Sequence, residues 1–279
     1  MAEPIEGTIL RPHRIPGEPE TGFAAFLDGV QRSRVLHYLG GIPFVHGTVG
    51  AVVRVRRDRR LSTWRHLVER RLYLPFARLP AGFAEDARTH IPLVDSCAAD
   101  VLDGEAVPSD HPIELLERAV HAVQRDRERA EQSLAEAWCH GPLLIDGGIA
   151  GSERVARDHD SVGVVKSHRT LYAEGPALRA VLGLTVGERS TVFRVSFARR
   201  TPVASWYLRL RDHAGHDPLW GLVRVEVAEA GNARELGERA DRVSRWLLAE
   251  VTPLALPDAR WDRLVYGVHD CEEFLHAIC

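Results

Sequence analysis

Lysine is almost missing from this chain: of its 36 basic residues 35 are arginine, and Lys166 alone is lysine. Arginine used this freely makes arginine runs weak evidence for a nucleic-acid surface, and it makes the one ammonium worth tracing. Cysteine is scarce as well. Cys97, Cys139, Cys271 and Cys279 form no CxxC pair and no zinc spacing, which excludes a disulfide scaffold and a structural zinc site and leaves free thiols expected in or near the core. No run approaches the roughly 20 apolar residues that span a bilayer, and the acidic, proline-bearing start is unlike a signal peptide. A cytoplasmic protein with no membrane partner is expected. Neither sign of charge prevails, with 36 basic against 39 acidic residues and a net charge of −3. That balance excludes a protein that coats nucleic acid indiscriminately, though not a nuclease, whose site needs its own carboxylates. GxSxG, Walker A, GxGxxG and HExxH are all absent, so the common hydrolase and nucleotide-binding signatures give no support to another enzyme class.

What remains is a chain of 279 residues, 45% hydrophobic and 27% charged, enough to fill a sizeable core. Residues 1–21, with Pro4, Pro12, Pro16 and Pro19, read as an extended lead-in to a domain covering 22–279. Phe23 to Leu27 is a short apolar strand that a turn at Asp28-Gly29 would stop. Further strands are expected at 34–39 and 44–55, with a polar turn at 56–60 and a helical period from Ser62 to Leu74. Residues 78–111 carry several prolines and glycines and read as an irregular insertion. Ser109-Asp110-His111-Pro112 opens the best helix, which apolar residues three or four apart carry on to Trp138. Leu143 to Asp146 and Val162 to Val165 are buried strands. Strands at 191–197, 205–210 and 222–227 precede a helix near 233–250 and a last one over 263–278. The order predicts an α/β fold with a mixed central sheet flanked by helices.

Two strand ends match. Phe26-Leu27-Asp28-Gly29 and Leu144-Ile145-Asp146-Gly147 each bring a carboxylate out of an apolar strand next to a glycine. Laid side by side, such strands would put two carboxylates within bridging distance, where both stay ionised only around a cation. Hard oxygen donors suit Mn²⁺ or Mg²⁺. Most Asp-Gly pairs are simply turns; it is the repetition after two apolar strands that points to metal. Glu131, sharing a helix face with Leu134 and Trp138, is a candidate third acid, and Glu128 competes with it. The alternative is that both pair with Arg125, Arg127 or Arg129 on a solvated face. Lys166 closes the strand 162–165, where an ammonium could hold a phosphate oxygen. His269 and His276, seven apart in the last segment with Tyr266 upstream, are candidates for a final ligand or proton carrier. The arginines of 54–60 and Arg169 could guide a strand through its phosphates.

These pieces, in this order, resemble the NurA family of DNA-repair nucleases, a variant of the RNase H-like fold also seen in Argonaute PIWI domains. The resemblance runs through Phe26-Leu27-Asp28-Gly29-Val30, Arg127-Glu128-Arg129-Ala130-Glu131, Leu143-Leu144-Ile145-Asp146-Gly147 and Val162-Gly163-Val164-Val165-Lys166-Ser167. It continues in Trp206-Tyr207-Leu208-Arg209-Leu210 and Val223-Arg224-Val225-Glu226-Val227. Gly148 stands where the family has serine, and Tyr266-Gly267-Val268-His269 where it has Tyr-Pro-x-Pro-Leu. The resemblance implies an Mn²⁺-dependent exonuclease with some endonuclease action on DNA ends. It further implies a homodimer that works with a HerA-type hexameric ATPase. Asp28, Glu131 and Asp146 would be metal ligands, His269 or His276 the fourth, and Lys166 a phosphate-steadying group beside a two-metal centre. The departures from the motifs also admit a catalytically weakened relative that binds DNA or loads a translocase.

Overall fold

A computed structural model describes residues 3–279 apart from 59, 81–82, 84–89, 99–109, 169, 197, 199 and 252–264. The chain forms two compact units. The first comprises Met1–Asp28, Val53–Trp64 and Leu134–Cys271, and the second Gly29–Val52, Arg65–Ser133 and Glu272–Cys279. The division falls inside three long strands, β3 (Ala25–Leu39), β4 (Ile42–Arg57) and β5 (Arg60–Leu74). The architecture is mixed α/β with a large mixed sheet and flanking helices, as expected from the order of apolar runs.

In the first unit the lead-in supplies β1 (Glu3–Pro4) and β2 (Pro12–Arg14). The centre is built by β7 (Leu143–Asp146), β8 (Ser161–Val165), β9 (Glu188–Ser190), β10 (Phe193–Val195), β11 (Val203–Arg209) and β12 (Leu222–Ala228). The strand order is β1-β10-β11-β12-β8-β7-β3, with β9 pairing both β2 and β11. From β1 to β8 the neighbours are antiparallel, whereas β8, β7 and β3 run parallel. All seven residues of β11 and of β12 are buried, as central strands covered on both faces should be. Helix α4 (Ala233–Glu250) starts at a capping box on Asn232 and Glu235 and buries Leu236, Ala240, Val243 and Leu247 along one stripe. It docks on the sheet through Trp206, whose indole N–H donates to Ser244 at 3.0 Å. Two short helices, α2 (Glu153–Arg157) and α3 (Gly175–Leu182), complete the loops.

The second unit holds the distal parts of β3, β4 and β5 with β6 (Leu93–Asp95), in that order. Helix α1 (Pro112–Ala137) supplies its cover. Val45, Val49, Tyr73, Ala119, Ala122 and Val123 form the core. Beneath it the Tyr73 hydroxyl and the Arg71 guanidinium both donate to Asp126, at 2.8 and 2.7 Å. Helix α5 (Tyr266–Ile278) begins in the first unit and ends in the second.

Four expectations are corrected. Asp28-Gly29 is not a turn: β3 runs straight through it to Leu39, and the strand read at 34–39 is the same strand. The next hairpin turns at Gly40 and Gly41, both at positive φ. Residues 60–74 are strand β5, not helix; Trp64, Leu67, Val68 and Leu72 fall three or four apart by chance, and pairing with β4 and β6 overrides the period. The insertion at 78–111, most of it outside the described residues, contains β6, which pairs parallel to β5. Of the four thiols Cys97 and Cys271 are buried, but Cys139 is exposed. Among the described residues no helix is long and apolar enough to cross a membrane.

Candidate metal and phosphate site

The two Asp-Gly strands are neighbours. β3 and β7 pair parallel in the register Ala25 with Leu143, Phe26 with Leu144 and Leu27 with Ile145. The next step of that register sets Asp28 beside Asp146. Residues paired across a sheet share a face, and adjacent strands lie about 4.8 Å apart. The two carboxylates therefore leave the same face of the sheet at neighbouring positions. Asp28 is buried, 7% exposed, and Asp146 keeps 24% of its side chain open.

Register also places the lysine. Asp146 pairs with Val164 on β8, so Lys166, two residues on, returns to that face. Its Nζ lies 3.0 Å from Asp146 Oδ1. The chain's one ammonium thus stands against one of the two acids, as far from an ordinary surface lysine as its 19% side-chain exposure suggests.

Beyond Asp146 the backbone leaves the strand through Gly147, at φ +128°, a conformation that favours glycine. Gly147 N–H donates to the Val164 carbonyl at 3.0 Å. The turn folds over Gly163, where a Cβ would lie 2.7 Å from the Gly147 oxygen. Gly163 pairs with Ile145 and with Glu226, so the turn bends toward the face opposite the aspartates. There Glu226, 1% exposed, accepts the Ile149 N–H at 2.8 Å through Oε2 and an Arg224 N–H at 2.5 Å through Oε1. Arg224 donates also to Ser205 Oγ at 3.3 Å. Sequence reasoning took Arg224 and Glu226 only as part of a strand motif. The available signal was two charges in an otherwise apolar run that is buried throughout.

The first turn of α5 lies over the aspartate face. Gly267 packs on the Phe26 ring, where a Cβ would come within 2.3 Å. The Cys271 thiol donates to the Phe26 carbonyl at 3.4 Å. Burial pushes that thiol well up from its usual value, and the charges of Asp28 and Asp270 add to the shift. Asp270 accepts Arg54 Nε–H at 2.6 Å, anchoring the helix to β4. His269 sits between these anchors and is half-buried. His276, in the second unit, is exposed, with Arg32 at 3.3 Å and Glu272 at 3.7 Å.

Within the second unit Glu131 is buried, 9% exposed, and it takes an ion pair from Arg127 on the preceding helical turn. Arg127 Nε also donates to Gln31 at 3.2 Å. Gly29 lies against this carboxylate, and a Cβ there would meet Glu131 Oε1 at 2.2 Å. Glycine at 29 thus serves a close approach, not a strand exit. Glu128 is more open, at 42% of its side chain, and accepts from Gln124 at 2.9 Å. Both acids pair with their own helix, as the alternative reading had it, but Glu131 does so buried.

Of the arginines expected to guide phosphates, two are engaged within the protein. Arg54 holds Asp270 and Thr63, and Arg56 forks onto Glu250 at 2.7 and 2.5 Å. Arg57 and Arg60 are exposed; Arg59 and Arg169 lie outside the described residues.

Among the described residues no group of three or more His, Cys, Asp or Glu side chains is gathered as a metal cage. The pair Asp28 and Asp146 offers hard oxygen donors at strand spacing, and one or two carboxylates completed by water and phosphate oxygens are what Mg²⁺ and Mn²⁺ commonly accept. The donor set fits such an ion. No family model matches the chain, and no curated protein matches it in sequence. Among solved structures, the NurA nuclease from Sulfolobus solfataricus is similar over 95% of this chain and 81% of its own, at 10% identity and a TM-score of 0.49. A likeness of that size leaves function to be argued from the residues.

Proposed function

We propose that the chain is a divalent-metal-dependent nuclease that hydrolyses the phosphodiester bonds of DNA. One observation carries the reading: Asp28 and Asp146 emerge side by side on parallel strands, with the only lysine of the chain against the second. Two anions at that spacing repel unless a cation lies between them, and a polyanionic substrate has no reason to approach them without one. Mn²⁺ or Mg²⁺, when bound, would lower the pKa of a water and shield the developing phosphorane charge. Asp28 and Asp146 would hold the ion. Lys166 is within reach of a non-bridging phosphate oxygen once Asp146 turns to metal, and its three donors suit that compact charge. His269, on the helix turn over Asp28, would hold or relay the proton; His276, exposed and paired elsewhere, suits that role less. The sequence motif alone keeps Glu131 as third acid and brings in homodimerisation, a HerA-type hexameric ATPase and action on DNA ends.

A second reading has its own observation. Lys166 occupies Asp146 and Arg127 occupies Glu131, which is how acids retained without catalysis would be neutralised. The chain would then be a DNA-binding or assembly subunit of a translocase.

Purified protein with Mn²⁺ and end-labelled linear duplex and single-stranded DNA separates the two. Cleavage that Asp28→Asn and Asp146→Asn each reduce to background, and that EDTA removes, is the expected result. Cleavage unchanged in both variants ends the nuclease proposal. No cleavage by wild type, together with DNA retention and a stable complex with the ATPase, establishes the second reading.

A further inference from the structure

We infer that Glu226 is a positioning residue for Asp146, acting from the opposite face of the sheet through the turn 147–149. This rests on the reading of Asp146 as a metal-holding acid. The geometry has three independent parts. Register puts Glu226 on the face away from Asp146, so its carboxylate cannot itself join the metal site. Both its oxygens are committed, one to the Ile149 amide and one to Arg224. And the turn is shaped to meet it: a Cβ on Gly148 would stand 2.9 Å from Glu226 Oε2, and one on Gly163 would strike the turn itself.

The chain path gives this contact its purpose. Asp28 needs no such device, because β3 continues on both sides of it. Asp146 is the last residue of its strand, and the two residues after it are glycines with no stiffness of their own. The Gly147 N–H on the Val164 carbonyl fixes the first step past Asp146, and a hold on Ile149 fixes the Gly147 and Gly148 torsions that follow, closing the turn behind the aspartate. Glu226 supplies the hold with a charge-assisted acceptor in a site that excludes water, where such a bond is strong. The Arg224 guanidinium holds the other carboxylate oxygen and itself rests on Ser205. Gly148, where the resembling family has serine, is accounted for by the same contact, since a side chain there would displace Glu226.

The test uses full-length protein, because a buried carboxylate is being removed. Glu226→Ala and Glu226→Gln are compared with Gly148→Ser, an exposed position whose change crowds the contact without uncovering a buried charge. Two readouts apply: amide hydrogen exchange over 144–152, and calorimetric binding of Mn²⁺ alone. Expected are exchange at Ile149 about 10-fold faster or more in Glu226→Ala and Gly148→Ser, with the β11–β12 pairing still protected. Mn²⁺ binding should weaken about 10-fold, the usual size of an outer-shell loss. Glu226→Gln, whose amide oxygen still accepts from Ile149, should restore most of both. Unchanged exchange at 149 overturns the inference, as does faster exchange with Mn²⁺ affinity intact. If Mn²⁺ binds, and Asp146→Asn but neither Glu226 variant weakens it, the metal reading stands and this inference falls. If wild type binds no Mn²⁺, the metal reading and the inference fall together, whatever the exchange shows.

Discussion

The most discriminating perturbation is Asp28→Asn, because it removes one donor of the proposed metal site and keeps the side chain's shape. With Mn²⁺ at a hundred times its dissociation constant, wild type gains about 2.7 kcal/mol by mass action. At about 2–4 °C per kcal/mol for a chain near this size, its melting midpoint rises about 5–11 °C over the value in EDTA. The variant, lacking one donor, gains little. Differential scanning fluorimetry in EDTA and in a Mn²⁺ series reads the shift of each protein against its own metal-free midpoint. A variant that keeps the full Mn²⁺ shift, or a wild type that shows none, refutes the placement of Asp28 as a holder of the cation.

Other consequences are open to simpler measurements. Gly267→Ala puts a methyl 2.3 Å from the Phe26 ring and should lower unfolding stability in urea by about 1–3 kcal/mol, the range for overpacking; a neutral result would mean α5 is not seated on β3. At pH 8 Cys139, exposed, should react promptly with a chromogenic disulfide, whereas Cys271, whose thiol burial pushes well up, should react only on unfolding. The lead-in is clasped by Arg189, which takes Glu6 and Asp241. Burial alone would raise Glu6, but the hydrogen bonds and charge of Arg189 more than reverse it, so its carboxyl lies below the ordinary 4.5. Burial holds His13 below its ordinary 6.5, against the pull of Glu6. Both groups bind fewer protons folded than unfolded, so their stabilisation is complete above about pH 6.5 and is lost as pH falls, first through the His13 range and then below 4.5. The stability gap between wild type and Glu6→Gln should therefore persist from pH 7 to about pH 4.5 and close only as pH falls below 4.5, where Glu6 takes up its proton; a gap that stays constant through that lower range contradicts the clasp.

Much of the frame could be read from residue patterns because it is written locally. The helix expected near 233–250 is α4 to the residue, since a capping box and a four-residue apolar period mark its start and its inner face. The strands ending at Asp146 and Val165 were visible as short apolar runs closed by glycine or by charge. What misled was local evidence with a non-local cause. Asp28-Gly29 has the composition of a turn, yet the glycine is there for the carboxylate of Glu131, a residue a hundred positions away. Strand β5 carries an apolar spacing that suits a helix, and only its neighbours in the sheet decide otherwise. Glu226 was passed over because nothing near it in sequence needs it; its partner is an amide 77 residues upstream.

The two aspartates, alike in sequence, are held by different means, and the difference bears on what each can do. Asp28 lies within a strand that is paired before it and continues for eleven residues after it, so its backbone is fixed by the ladder and its carboxylate is nearly enclosed. Asp146 closes its strand, retains access to solvent and faces the one ammonium of the chain. An enclosed, immobile donor and a more open one that can exchange a lysine for a cation form an asymmetric pair. Such a pair would let a phosphate oxygen enter on the Asp146 side, where Lys166 is already waiting, while the Asp28 side stays closed to substrate. Lys166→Met separates these roles: it should tighten Mn²⁺ binding by freeing Asp146 and at the same time slow cleavage at saturating metal. A variant that moved both in the same direction would show that the lysine serves the acid alone.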